Sequence, residues 1–195
     1  MIQTIIPHLW YDTEAKEAAE LYVDLFGGKI DWNYTITDTP SGHAGLIQFQ
    51  LGDMTLAAIS AGPYFKLNES MSLMVNVASR DDVRRLYEAL SDGGRVLMPL
   101  AEYPFSPYYV WLEDRFGLSW QLSYEPDLDV PYSFDICLLF SQDQVGLAQP
   151  ILDYYKDKLP QARLGRLSYY GEGEAAVAAA KLNYAELCIG DQKII

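Results

Sequence analysis

The stretch Tyr109–Leu122, YVWLEDRFGLSWQL, decides the reading of the fold. Tyr109–Leu112 is aromatic and branched, which suits a strand. Glu113-Asp114-Arg115-Phe116-Gly117 reads as a tight turn: Gly117 is free to take a positive φ, and Asp114 can bond neighbouring backbone amides while Arg115 pairs nearby. From Leu118 to Leu122 the alternation resumes, with Trp120 and Leu122 on one face and Ser119 and Gln121 on the other. This hairpin either holds a core or presents Gln121 and its neighbours to a cleft.

Working upstream, the hairpin closes a unit. Met71–Val77 alternates as a strand, and Ser79 caps a helix striped by Val83, Leu86, Tyr87 and Leu90. Gly93-Gly94 stops that helix, Arg95–Pro99 is a short strand, and the proline-rich Ala101–Pro107 is a loop. The same order occurs earlier. Ile2–Tyr11 is a strand, Ala15–Phe26 a helix with Ala18, Leu21, Tyr22 and Leu25 on its stripe, and Gly27-Gly28 its stop. Lys29–Thr37 is a strand and Asp38–Gly42 a loop, after which Ala44–Leu51 and Met54–Ser60 form a hairpin around Gly52-Asp53.

A third copy starts beyond Glu125–Pro131, a linker with two prolines, two aspartates and a glutamate. Phe134–Phe140 is its strand, a helix runs from Pro150 at its first turn to Lys158, and Ala162–Tyr169 and Lys181–Ile189 are strands. LIQFQLGDMTLA around Gly52-Asp53 matches YAELCIGDQKII around Gly190-Asp191, as Leu9-Trp10-Tyr11 matches Leu138-Leu139-Phe140. The domain reading is therefore 1–124 as a two-module domain, 125–131 as linker, and 132–195 as a partial third module. With no fourth copy to cover it, the third module predicts a homodimer; the rival is a truncated second domain.

Composition narrows the partners. At 195 residues, half of them apolar, the chain makes one domain or one and a half. A net charge of −13 argues against nucleic acid and against an anionic membrane surface. Cys137 and Cys188 sit in apolar strand-like runs and read as buried free thiols, with no C-x-x-C pair for a zinc ribbon. The amino terminus lacks a charged leader and no run of 18 apolar residues occurs, so a cytoplasmic protein without membrane attachment is expected.

Tandem β-α-β-β-β units resemble the vicinal oxygen chelate superfamily of glyoxalase I, bleomycin-resistance proteins and extradiol dioxygenases. Within it the chain is similar to the PhnB-like group, often labelled a 3-demethylubiquinone-9 3-methyltransferase domain. The motifs carrying this are Pro7-x-Leu9-Trp10-Tyr11, Glu17-Ala18-Ala19-x-Leu21-Tyr22, Gly62-Pro63-x-Phe65-Lys66-Leu67-Asn68-Glu69, Ser72-Leu73-x-Val75-Asn76, Leu90-x-x-Gly93-Gly94 and Trp111-Leu112-x-Asp114-Arg115-Phe116-Gly117-x-Ser119-Trp120-Gln121. The resemblance implies an α+β fold whose tandem modules form a curled mixed sheet around a cleft, glyoxalase- and bleomycin-resistance-like, with a third partial module.

In that superfamily the cleft commonly holds one divalent metal on His, Gln or Glu side chains. Here Gln121 stands where a Glu is common, Ser72, Met74 and Asn76 offer no His, and Met54–Ser60 offers no ligand. His8 shares a face with Ile6 and Trp10, and alternation does not say which face that is. No metal and no cofactor are expected. His43 reads as a surface residue, no G-x-S-x-G nucleophile turn occurs, and no Gly-rich loop follows a first strand to take a methyl donor.

The expected function is binding of a small, partly aromatic organic molecule. The cleft would be walled by Gln48, Met74, Asn76, Tyr109, Ser119 and Gln121, with Tyr64, Phe65, Phe105 and Trp111 at its rim. Two alternatives stand beside it. One is a metal-dependent lyase, isomerase or dioxygenase in which His8 or Gln121 meets Glu113 or Glu186. The other is a structural dimer without a ligand.

Overall fold

The computed structural model describes residues 3, 5–40 and 42–195. They divide into two compact units, Ile6–Phe134 and Met1–Ile5 with Asp135–Ile195. Ile2, Thr4 and Ser41, which fall in the expected first strand and second loop, lie outside the described residues.

The larger unit contains two modules of one design. The first is β1 (His8–Tyr11), α1 (Ala15–Phe26), β2 (Lys29–Thr39), β3 (Gly42–Leu51) and β4 (Met54–Ser60). The second is β5 (Met71–Val77), α2 (Arg80–Ser91), β6 (Arg95–Tyr103), β7 (Ser106–Glu113) and β8 (Ser119–Tyr124). The strand orders are β1-β4-β3-β2 and β5-β8-β7-β6. In each module the first strand lies parallel to the last, His8 beside Ala57 and Met74 beside Gln121, while the hairpin strands pair antiparallel. A parallel pair needs a crossover, and the module's helix is part of it. The result is the α+β architecture of open mixed sheets with helices on one face.

Alternation sorts the faces. Ile47, Phe49 and Leu51 of β3 and Met54, Leu56 and Ala58 of β4 are buried, against half-buried Gln48 and Gln50. The helix α1 meets them with Ala15, Ala18, Ala19, Tyr22 and Phe26, a stripe rotated from the expected Leu21 and Leu25. The small residues allow close approach, and Gly27 at φ 68° closes the helix with its N–H on Val23 O. Likewise α2, capped by Ser79 Oγ on the Asp82 N–H, buries Val83, Leu86 and Leu90, while Leu73, Val75, Leu112, Trp120 and Leu122 are fully buried in the strands.

One buried carboxylate joins the two modules. Asp114, 3 % exposed in the turn after β7, accepts from the Phe116 and Leu118 amides at 2.9 and 3.1 Å, which shapes the turn. It also accepts from Trp120 Nε1 at 2.8 Å and from the hydroxyl of Tyr22 on α1 at 2.6 Å. Tyr22 lies edge-on to Trp120, and Phe26 stacks on Trp120 at 5.3 Å. Such aromatic pairs add about 0.5–1.5 kcal/mol each beyond their burial.

Two expectations are corrected. Ala101–Pro107 is not a loop: β6 runs to Tyr103 and turns into β7 at Ser106. Pro99 is absorbed where the β6–β7 register shifts between Met98 and Ala101, as a proline that lacks a ladder donor requires. The first strand is also shorter than Ile2–Tyr11. Ile5 is held instead by Gln192, whose Oε1 takes the Ile5 N–H at 2.8 Å and whose Nε2 donates to Ile5 O at 2.7 Å. A side-chain amide thus completes the backbone pairing of that segment inside the smaller unit.

The smaller unit carries the third module. Its elements are β9 (Tyr132–Leu138, shared with the end of the larger unit), α3 (Ala148–Lys158), β10 (Ala162–Tyr169), β11 (Leu182–Ile189) and β12 (Gln192–Ile194), ordered β10-β11-β12-β9. The β11–β12 turn at Gly190, φ 60°, copies the β3–β4 turn at Gly52, φ 56°. The helix α3 begins two residues before Pro150, which sits in the first turn where a missing N–H costs nothing. The segment 125–131 is tied down at both ends, Glu125 N–H to Val77 O and Ala78 N–H to Pro131 O. Cys188 is buried, Cys137 is half-buried, and both thiols are free of a disulfide.

Burial outweighs the donors around Asp114 and raises its carboxyl above the ordinary carboxylate range. A folded-state value above the unfolded one gives stability that is present at low pH and lost as pH rises through the folded value. Urea unfolding across about pH 4 to 8 should show that decline in the native chain and not in Asp114→Asn. At neutral pH Asp114→Asn should be less stable by about 1–3 kcal/mol, because an amide N–H₂ would face the Trp120 N–H, which can only donate.

Candidate ligand-binding face

The face of the second sheet opposite α2 carries most of the polar side chains singled out in the sequence. Register sets them in rows across β5, β8 and β7: Ser72, Ser119 and Glu113; Met74, Gln121 and Trp111; Asn76, Ser123 and Tyr109. The strand β6 extends the rows with Arg95, Met98 and Ala101. Because these residues alternate with Leu73, Val75, Leu112, Trp120 and Leu122, their placement follows from the helix covering the apolar face.

Hydrogen bonds run diagonally across the rows. The Tyr109 hydroxyl donates to Gln121 Oε1 at 2.5 Å, and Gln121 Nε2 donates to Ser72 Oγ at 2.7 Å. A phenol can give its proton to the amide oxygen, so the amide nitrogen is left to donate to the serine. Trp111 Nε1 donates to Ser119 Oγ at 2.8 Å, and Asn76 Nδ2 to Ser133 Oγ at 3.1 Å. Ser106 Oγ and Ser123 Oγ lie 2.9 Å apart. At one side stands an aromatic group: Tyr103 and Phe105 stack at 5.5 Å, and both meet Tyr109 edge-on.

The structure thus brings together Met74, Asn76, Tyr109, Trp111, Ser119 and Gln121, with Phe105 beside them. Gln48 is elsewhere, on the first sheet, where its amide and that of Gln50 donate to Asp31 at 3.3 and 2.9 Å. Tyr64 and Phe65 lie exposed in the connector after β4, and Phe65 packs edge-on against Trp10 at 4.9 Å. Ser72 and Tyr103 were not among the expected site residues. The alternation of Ser72 with Leu73 signals the first, whereas the prolines flanking Tyr103 concealed the second.

The face does not fit a divalent metal. Gln121 uses both ends of its amide on neighbours, and Ser72, Met74 and Asn76 supply a hydroxyl, a thioether and an amide rather than hard or imidazole donors. His8 lies on the first sheet's helix-free face, beside Ala57, since Leu9 and Tyr11 are the buried pair. Glu113 pairs with Arg95 at 3.0 Å. In the smaller unit Glu186 accepts from Tyr184 and the Arg166 amide and lies 3.7 Å from Lys193. Among the described residues no three His, Cys, Asp or Glu side chains are grouped to hold a metal, and no helix is long and apolar enough to cross a membrane.

Comparison with known proteins adds the following. The sequence model of the family described as 3-demethylubiquinone-9 3-methyltransferase matches residues 3–123. The structure is similar to a PhnB protein from Bacillus cereus, at 28 % identity and TM-score 0.58, covering 63 % of this chain and all of the other. It is similar to a Pseudomonas aeruginosa protein at 27 % identity and TM-score 0.56, covering 64 % of this chain and 98 % of that one. Glyoxalase I from Zea mays shares the fold at 15 % identity and TM-score 0.62, covering 97 % of this chain and 66 % of its own. No curated protein gives a match.

The bonded strip is testable without a ligand. Tyr109→Phe should cost about 1 kcal/mol in urea unfolding, and the double mutant with Gln121→Leu should cost less than the sum of the two single changes. Strict additivity would mean that the two side chains do not act as a unit.

Proposed function

The chain belongs to the 3-demethylubiquinone-9 3-methyltransferase family, and from that premise we propose that it binds a small, partly flat organic molecule on the sheet face of its second module opposite α2. The observation that carries this reading is the Ser72–Gln121–Tyr109 strip. A bonded row of buried polar side chains lies on the sheet face opposite α2, bordered by half-buried Met74, Asn76 and Trp111 and next to the ring group of Tyr103, Phe105 and Tyr109. Apolar surface with a few placed polar groups is the usual make-up of a small-molecule site.

In this reading Trp111 and the ring group hold the flat part of the ligand. Gln121 supplies orientation, because its amide is held by two neighbours before the ligand arrives and little side-chain freedom remains to be lost. Met74 adapts to the ligand's outline, as an unbranched thioether can. The family name refers to methyl transfer. The proposal does not depend on it, since β1 runs through Asp12-Thr13-Glu14 into α1 without the Gly-rich turn that lets a backbone approach a nucleotide-like donor.

A second copy of the chain completes the reading. The strand β2 is the edge of the first sheet, and its Ile30, Tyr34 and Ile36 are exposed, with Trp32 against Tyr34. A long edge strand bearing apolar side chains is ordinarily covered by a partner.

Two measurements check the proposal. Titration of the protein with a panel of small aromatic and quinone-like compounds should give saturable quenching of Trp111 fluorescence, and Gln121→Ala should weaken it by about tenfold. No quenching across the panel, or unchanged affinity in the variant, would refute the site. Sedimentation at micromolar concentration should give twice the chain mass; a monomer would refute the pairing alone.

A further inference from the structure

A separate cavity of about 580 Å³ opens in the larger unit between the connector after β4 and the turn that joins β7 to β8. Its volume is in the range of small-molecule sites. One wall is apolar and fixed. The Trp10 indole donates to Gly62 O at 2.8 Å, and Phe65 stands edge-on to it at 4.9 Å. Gly62, at φ 88°, lets the connector turn back there, and a Cβ would meet the Tyr64 ring at 3.1 Å. The opposite wall is the Asp114 turn, with Phe116 covered by the Arg115 guanidinium at 4.6 Å.

The charges around the cavity divide into paired and unpaired. Arg95 is bonded to Glu113 at 3.0 Å and Arg115 to Glu17 at 3.4 Å. Asp114 is saturated by its four donors, and Glu14 takes the Thr13 N–H at 2.8 Å. Lys66 and Asp12 both line the cavity, and among the described residues no hydrogen bond or ion pair engages either side chain. The cavity therefore offers one cation, one anion and a fixed aromatic wall.

We propose that this cavity binds a zwitterion of the amino-acid type with an aromatic or large apolar side chain. Lys66 meets its carboxylate, Asp12 meets its ammonium group, and Trp10 and Phe65 take the side chain. A ligand of single charge would satisfy one of the two free groups and leave the other to water. The inference is independent of the Gln121 face, which shares with the cavity only the Arg95–Glu113 pair at the end of one row.

The indole N–H signals of the four tryptophans in the full ¹⁵N-labelled chain report where a ligand lands. The probes are L-phenylalanine, 3-phenylpropionate and phenethylamine. Phenylalanine should move the Trp10 signal saturably, and each singly charged analogue should bind about fivefold more weakly. Lys66→Met should weaken phenylalanine and leave phenethylamine unchanged, and Asp12→Asn should weaken phenylalanine and leave 3-phenylpropionate unchanged. Both positions are exposed, so the fold should tolerate the changes. Gln121→Ala should alter none of these affinities. A static Trp10 signal, movement of Trp111 alone, equal binding of the three probes, or no effect of either charge variant would each overturn the proposal.

Discussion

The arrangement of the larger unit depends on the buried carboxylate of Asp114. It shapes its own turn through two backbone amides, fixes Trp120 six residues later, and reaches Tyr22 ninety-two residues earlier. A charge moved out of water is tolerable only where several donors replace its hydration. Here those donors come from both modules, so the carboxylate is satisfied only when α1 lies against the second hairpin. Burial also raises the Tyr11 and Tyr22 hydroxyls, which keeps both protonated and able to donate within the network.

This linkage assigns the faces. Once α1 and α2 cover the apolar sides of their sheets, strand alternation leaves Gln48, Gln50 and His8 on the side of one sheet away from α1 and Gln121, Trp111 and Tyr109 on the side of the other away from α2. The polar groups on the second face then settle among themselves, donor to acceptor, and no buried side-chain polar atom among the described residues is left without a partner. This bonded arrangement follows from the same packing that makes the core.

Repetition gives the fold its economy. All three modules have one strand order, and in each the first strand lies parallel to the last. Their surfaces nonetheless differ. The first module's α1 buries five residues, whereas α3 buries none, and its Tyr154 and Tyr155 are exposed. The difference lies in what covers the helix: α1 has Trp120 and Phe116 against it in the larger unit, a covering that belongs to its pairing with the second module.

Much of this was legible in the residues. Alternation and glycine stops set out the β-α-β-β-β order, the Gly52 and Gly190 turns, and the split of the Tyr109–Leu122 hairpin into a Trp120 face and a Gln121 face. Six of the ten expected site residues do share one sheet face, because period-two alternation is a local property that a strand cannot escape. Sequence misplaced what depends on distant partners. Pro104 and Pro107 suggested a loop where a bulged hairpin carries rings set edge-on to Tyr109, and Ile5 was assigned to β1 where Gln192 claims it. Gln48 was set beside Gln121 although two separate sheets carry them. Asp114 was read as a turn residue, correctly, yet its second role requires Tyr22, and only the tertiary structure brings that hydroxyl to it. Local periodicity is written in neighbouring residues; the meeting of α1 with the second hairpin is decided by long-range packing, in which the burial of one charge demands donors from both.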